Sequence, residues 1–299
     1  MQNAKPIHYL QLHFIVLLWG FSGVLGKLIS FGALQLVWYR LGIASLVLFL
    51  YTVIRRKTLK IPKSIQLLSA IAGITIAVHW IFFFYAIKIS NVSITLACMS
   101  TGAFMTAILE PIWYKRKMVL YELLLGLLVI IGLAIILEVQ FEYLMGVISA
   151  LIAALLSSVY SLINGQLIKK ASSNALVVQQ LFIGFLFLSV ILWFNSELNI
   201  ELLSIDKMDL TYVSIIAVFC TAYAIKASTE LLKYISPYSM ILTLNMEPIY
   251  GIILAVLIFK ESEKMPALFY LGALIILISV VLDVMVKFWS KKSQKQRLE

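Results

Sequence analysis

The chain has 299 residues, 62% of them apolar and only 13% charged, about half the charged share of an ordinary soluble domain. A water-soluble globule of this length cannot hide so much apolar surface, which excludes a soluble enzyme. The net charge of +10 fits cytoplasmic loops that carry Lys and Arg to fix orientation, and nucleic acid is not expected as a partner.

Apolar runs follow one another along the chain, each close to the ~20 residues a helix needs to cross a bilayer. The first, 9–30, lacks a small-x-small cleavage site and is followed at once by other runs, so it reads as a membrane helix rather than a signal peptide. Next come 34–54, the basic segment Arg55-Arg56-Lys57-Thr58-Leu59-Lys60-Ile61-Pro62-Lys63, then 64–87, 91–114 and 118–138. After these lie 144–168, 175–195, the longest polar break near 195–209, and finally 209–232, 236–259 and 266–288. Cys98 and Cys220 sit inside apolar runs and form no CxxC pair, so a disulfide framework is not expected.

Counting from a cytoplasmic N-terminus sorts the charges. Loops and tails assigned inside hold Lys5, Arg55, Arg56, Lys57, Lys60, Lys63, Lys115, Arg116, Lys117, Lys169, Lys170, Lys233 and the tail residues Lys287, Lys291, Lys292, Lys295 and Arg297. Outside loops hold Lys88, Lys207, Lys260 and Lys264, while the acidic residues Glu138, Glu142, Glu197, Glu201, Asp206, Asp209, Glu261 and Glu263 collect there. A wrong helix count would flip every later loop and erase this bias. The expectation is ten spans with both termini cytoplasmic.

The sequence also matches itself. Ile89-Ser90-Asn91-Val92-Ser93 and Ile235-Ser236-Pro237-Tyr238-Ser239 align with an offset of 146 residues, which also sets Thr75 on Thr221, Leu96 on Leu242, Ile112 on Ile258 and Leu125-Gly126 on Leu271-Gly272. Earlier in the chain, Ala33-Leu34 and Gly42 fall on Ala175-Leu176 and Gly184 with an offset of 142. The longer 195–209 loop accounts for the change in register. Two units, 1–142 and 143–299, follow, in one integrated transmembrane domain. Five spans per unit is an odd number, so the second unit must enter the membrane from the opposite side. The fold class expected is therefore an all-α membrane protein of ten transmembrane helices arranged as two inverted five-helix repeats. Such units can exchange conformations about a central site, which points to transport by alternating access.

Several short motifs resemble those of the EamA family of the drug/metabolite transporter superfamily. They are Trp19-Gly20, Arg40, Ala86-Ile87-Lys88 leading into Ser90-Asn91-Val92-Ser93, Glu247-Pro248, Phe259-Lys260-Glu261, and Gly126 and Gly272. The first half departs from the pattern: Gly102 stands where a proline is expected, Lys115 where a helix-end glutamate is expected, and Glu110-Pro111 appears nearby instead. The resemblance spans the whole chain and implies ten helices in two repeats. It further implies export or exchange of small metabolites, often amino acids, across the bacterial inner membrane.

Charged groups inside a bilayer are costly, at ~2.5–3.5 kcal/mol each on insertion scales, so each needs a reason. Asp283 with Lys287, and Glu110 beside Lys115 and Arg116, read as structural pairs near helix ends. Lys226 and Glu230 share a helical face. Glu247 lies mid-span with no cation one turn away, so its partner is a bound solute, a proton, or a residue of another helix such as Lys226 or Arg40. Pro248 removes an amide hydrogen beside it and disturbs the ladder at that depth. Candidate substrate-binding residues are Glu247, Lys226, His79, Trp80, Trp19, Tyr223 and Arg40, with Glu247 and Lys226 holding opposite ends of a zwitterionic or aromatic solute. Pro248, Gly20 and Gly23 are candidate hinge positions, and packing is the competing reading for the glycines. The histidines show no metal-ligand spacing, and no cofactor is expected.

Walker A, GxSxG and HExxH patterns are all missing from the sequence, which argues against an ATP-driven pump and against an intramembrane enzyme. The function expected is a secondary-active carrier that exports or exchanges a small metabolite, with proton coupling through Glu247 as an option. The alternatives are a non-transporting scaffold or sensor, an uptake carrier for a related solute, and a channel. The bilayer and the solute are the expected partners, and the chain is expected to be a monomer or homodimer.

Overall fold

Long apolar runs without interior breakers can satisfy their backbone in lipid only by forming helices, and helices are what form. The computed structural model describes residues 4–115, 120–139, 141–198, 202, 204–236, 240, 243–244 and 246–296. The helices are α1 (Pro6–Leu28), α2 (Ala33–Ile54), α3 (Lys63–Ile89), α4 (Val92–Met99), α5 (Gly102–Tyr114), α6 (Leu120–Val139), α7 (Leu144–Leu167) and α8 (Ser173–Phe194). They continue with α9 (Lys207–Ile215), a wide π-helical segment (Ile216–Tyr223), α10 (Ala224–Leu231), α11 (Glu247–Phe259) and α12 (Ala267–Gln296). No strand forms among the described residues.

Seven segments among the described residues are long and apolar enough to cross a membrane, and 124–138 and 267–279 are shorter apolar helices. The predicted ninth span, 236–259, lies partly outside the described residues, at 237–239, 241–242 and 245. Arg116 and Lys117 lie outside them too, as do the side chains of Asp283 and Lys287. The predicted 91–114 and 209–232 spans form as Val92–Tyr114 and Lys207–Leu231, each with a local change of helical pitch. In the first, the amides of Ser100 and Thr101 bond back three residues, to Ala97 and Cys98. This is a local tightening within the span, with Ser100 and Thr101 still in the right-handed helical region. The predicted 209–232 helix contains the wide turn at 216–223, where the Thr221 hydroxyl bonds the carbonyl five residues back at Ile216, at 2.9 Å.

The packing carries the duplication. α1 lies against α9, the π segment and α10, as α7 lies against α3; α1 also packs on α11, as α7 packs on α4 and α5. The contact of α2 with the π segment has its counterpart in α8 with α3, while α2 with α8 and α6 with α12 pair equivalent helices. The four non-glycine residues with positive φ among the described residues fall in two matched pairs. Arg56 and Ser196 end α2 and α8, and Lys115 and Lys260 end α5 and α11.

Large apolar side chains cover the outside: Leu46, Ile54, Leu67, Phe182, Leu257 and Leu274 are all exposed, a belt that suits lipid and not water. Inside, small residues let helices touch. A Cβ at Gly73 would meet the Gln180 carbonyl oxygen at 2.4 Å and its Cα at 2.9 Å, so α3 and α8 cross backbone against backbone. A Cβ at Gly20 would lie 3.0 Å from the Gly251 nitrogen and 3.2 Å from the Glu247 carbonyl oxygen, which marks a similar crossing of α1 and α11. Gly23 has no such constraint, since its nearest neighbours are side-chain atoms at 3.6 Å. Gly73→Ala is therefore expected to destabilise the detergent-solubilised protein by roughly 1–3 kcal/mol. Gly23→Ala is expected to stay within about 0.5 kcal/mol of the parent. Thermal melting of both variants is the check; equal melting would remove the close-crossing argument.

Candidate functional site

The helices converge on a cavity whose wall includes Trp19, Arg40, His79, Trp80, Tyr160 and Glu247. Arg40 comes from the middle of α2 and is 1% exposed. Its Nε donates to Thr221 Oγ1 at 2.6 Å, and a terminal nitrogen reaches the Cys220 carbonyl at 3.5 Å. Its guanidinium carbon lies 3.8 Å from the centre of the Trp80 ring, close enough for a cation–π contact.

The wide turn makes this possible. In a regular α-helix the Ala224 amide would bond Cys220, but here it bonds the carbonyls of Phe219 and Thr221. The Cys220 carbonyl is thereby released to face the bundle interior. It accepts from Trp19 Nε1 at 2.9 Å as well as from Arg40. One irregular turn thus fixes two site residues from two other helices. π-Helical turns of this kind recur at functional sites.

His79, on α3, places Nδ1 2.8 Å from the Ala153 carbonyl. A carbonyl can only accept, so Nδ1 carries the proton and the neutral ring keeps Nε2 as an acceptor. Tyr160 is held by a chain of buried amides. Its hydroxyl donates to Gln180 Oε1 at 3.0 Å, Gln180 Nε2 donates to Asn164 Oδ1 at 2.9 Å, and Asn164 Nδ2 returns to the Tyr160 carbonyl at 3.1 Å.

Glu247 is the first residue of α11 and is 7% exposed. Its carboxylate sits at the positive end of the helix dipole, and Pro248 follows at a position where a missing amide hydrogen costs nothing. Among the described residues no ion pair joins Glu247 to Arg40 or Lys226, although Arg40 and Glu247 share the cavity wall. A smaller space adjoins it, between Glu247, Pro248 and the Ser100–Gly102 segment. In the 146-residue register Thr101 and Gly102 are the counterparts of Glu247 and Pro248. The α4–α5 tightening and the start of α11 therefore lie at matched positions beside one space.

Of the candidates, the cavity brings together Glu247, Arg40, His79, Trp80 and Trp19, with Pro248 at the adjoining space. Lys226 and Tyr223 are placed elsewhere. Lys226 pairs with Glu230 at 3.2 Å and is not part of the cavity wall. Lys226 therefore does not share the cavity wall with Glu247, whereas Arg40 does. Tyr223 is 39% exposed and meets Phe14 edge-on at 6.2 Å on the outer surface. Gly20 and Gly23 lie behind the wall, in the contacts described above.

Sequence reasoning missed the hydroxyl lining of Ser22, Ser157, Ser161, Ser228 and Thr229. The spacing of Ser157 and Ser161, one helical turn apart in an otherwise apolar run, was the available signal.

The sequence pattern of the EamA-like transporter family matches residues 7–138 and again 144–285. The chain belongs to the EamA-like transporter family. This EamA-like chain is a multi-pass membrane protein and, in the general sense, a transporter, with the lipid bilayer and a small solute as its partners. No curated protein matches the sequence. Among solved structures 27 chains match. One of these, a crystal structure of a protein, has a TM-score of 0.70 at 13% identity, covering 95% of this chain and 99% of its own. At that identity the likeness extends to the EamA-like fold alone.

Proposed function

We propose that the chain is a secondary-active carrier that exports or exchanges a small metabolite, such as an amino acid, by alternating access. Ten spans form two inverted five-helix units, residues 1–142 and 143–299, in the bacterial inner membrane with both termini cytoplasmic. Glu247 and Arg40 meet the charged groups of the solute, His79 contributes a hydrogen-bond acceptor, and Trp19 and Trp80 supply apolar faces.

One observation carries this reading: a single space, walled by helices of both repeats, holds a carboxylate and a guanidinium that are not spent on each other. A fully enclosed ion pair would leave little for a solute to bind, whereas separated opposite charges match a zwitterion. Proton coupling fits the same carboxylate, which can alternate between a proton and a solute ammonium.

The test is counter-flow in proteoliposomes preloaded with unlabelled amino acids and offered labelled ones in turn. Transient accumulation of at least one label above equilibrium is the expected result, because a carrier binding site exchanges bound solute. Linear, non-saturating entry would indicate a channel, and no entry of any label would indicate a scaffold.

A further inference from the structure

At the end of the bundle opposite Leu232 and Met240, the repeats are tied together by a network the transport reading has not used. The Glu263 carboxylate, in the turn between α11 and α12, is fully buried. Its Oε1 accepts from Lys27 Nζ at 2.8 Å and from the Val92 amide at 3.0 Å. Its Oε2 accepts from the Ser93 amide at 2.9 Å and from the Ser93 hydroxyl at 2.7 Å. Lys88 donates to the Ile29 carbonyl, and the Ser30 amide and hydroxyl both donate to Asp209, the amide at 3.1 Å. Together these bonds join the ends of α1 and α3 and the start of α4 to α9 and the α11–α12 turn, across the boundary between the repeats.

The cavity approaches the other end. Its wall runs from Trp19, Ser22 and Glu247 to Leu232 and Met240, and none of it comes from the residues of this network. A carboxylate needed only to cap α4 would be satisfied by the Val92 and Ser93 amides. Glu263 also grips Lys27 of α1, whose side chain keeps 25% exposure while the carboxylate has none. The lysine can therefore re-enter water when the seam parts.

We propose that Glu263 is the latch of this end of the bundle. It is a positioning residue that holds α1 and α4 against the α11–α12 turn while the cavity communicates with the opposite side. It must release Lys27 and the α4 amides before the cavity can open at its own end. The 146-residue register puts Lys117 where the first repeat would need the same carboxylate. A lysine has no acceptor, so position 117 itself cannot repeat this carboxylate, and the resting carrier is expected to favour closure at the Glu263 end. This inference rests on the carrier reading above.

The test uses the full chain with Cys98→Ser and Cys220→Ser and one reporter, Ser157→Cys, in the cavity wall. A charged, membrane-impermeant maleimide is added separately to each side of sealed vesicles of known orientation. The parent is expected to label from the side opposite Glu263. Glu263→Gln exchanges charge-assisted bonds for weaker ones and is expected to raise labelling from the Glu263 side by about tenfold, while labelling from the other side slows. Lys27→Met leaves the α4 cap in place and is expected to raise it by about threefold, which keeps the test available if Glu263→Gln fails to insert. Counter-flow of labelled amino acids is measured on separate, maleimide-free vesicles holding the same variants with Ser157 unchanged. Intact parental counter-flow with unchanged labelling in both variants overturns the latch and spares the carrier. Equal labelling of the parent from both sides, with no counter-flow, overturns the carrier reading itself.

Discussion

Replacing Glu247 with Gln is expected to lower counter-flow about a hundredfold while leaving membrane insertion and melting temperature close to the parent's. Gln has the same size and suits the start of α11, so the fold loses only a negative charge. A solute ammonium that bonded a carboxylate now meets an uncharged amide, and hydrogen bonds to charged groups are worth roughly 1.5–3 kcal/mol each. That range is about ten- to more than a hundredfold in affinity. Glu247→Asp keeps the charge but withdraws it by one methylene, and is expected to retain measurable flux. Parental flux in Glu247→Gln would show that the carboxylate takes no part in the cycle.

Arg40 gives the second large effect. Arg40→Met removes the charge and leaves the Cys220 carbonyl and the Thr221 hydroxyl short of a donor inside the bundle, and it is expected to abolish counter-flow. Part of that loss is structural, since breaking a buried charged network costs roughly 3–5 kcal/mol. Arg40→Lys is the more informative variant. A lysine keeps the charge but cannot lay a planar group on Trp80 or reproduce the Nε bond to Thr221, at 2.6 Å in the parent. The stacking alone is worth about 0.5–2 kcal/mol, so the half-saturation constant is expected to rise about tenfold with little change in maximal rate. Counter-flow over a range of solute concentrations separates the two parameters. An unchanged constant would mean that only the charge at position 40 matters.

Much of the fold was legible because hydropathy is local. The predicted runs 34–54 and 64–87 lie within a residue or two of α2 and α3, and the matched registers anticipated the paired packing of the two repeats. The departures arise where the deciding partner is far away in sequence. Nothing in Ile216–Tyr223 announces a wide turn, because the release of the Cys220 carbonyl is stabilised by Trp19 and Arg40, some 200 and 180 residues earlier. The tightening at Ser100-Thr101 carries no proline, and only its register with Glu247-Pro248 marks it. Glu263 reads as an ordinary loop charge beside Glu261, yet one is fully buried and the other is an exposed partner of Lys264 at 2.5 Å. Among the site residues, Arg40, Glu247, His79, Trp19 and Trp80 were visible as costly or bulky groups at depth. The serines and threonine that complete the wall were not, because a hydroxyl in a helix can satisfy itself on the preceding turn.

The crossing of α1 and α11 at Gly20 and Gly251 has a mechanical consequence. With no Cβ on Gly20, the backbones of the two helices come into direct contact there, and Leu96 of α4 fills the space beside Gly251. Gly20 lies seven residues from Lys27, about 10 Å along α1, and Gly251 four residues from Glu247, about 6 Å along α11 on the far side of the crossing. In the carrier cycle proposed above, this close contact is the expected pivot. Tilting one rod over the other by about 10° swings the Lys27 arm through nearly 2 Å one way and the Glu247 arm through about 1 Å the other. In the proposed cycle, widening one mouth about this pivot would narrow the opposite one.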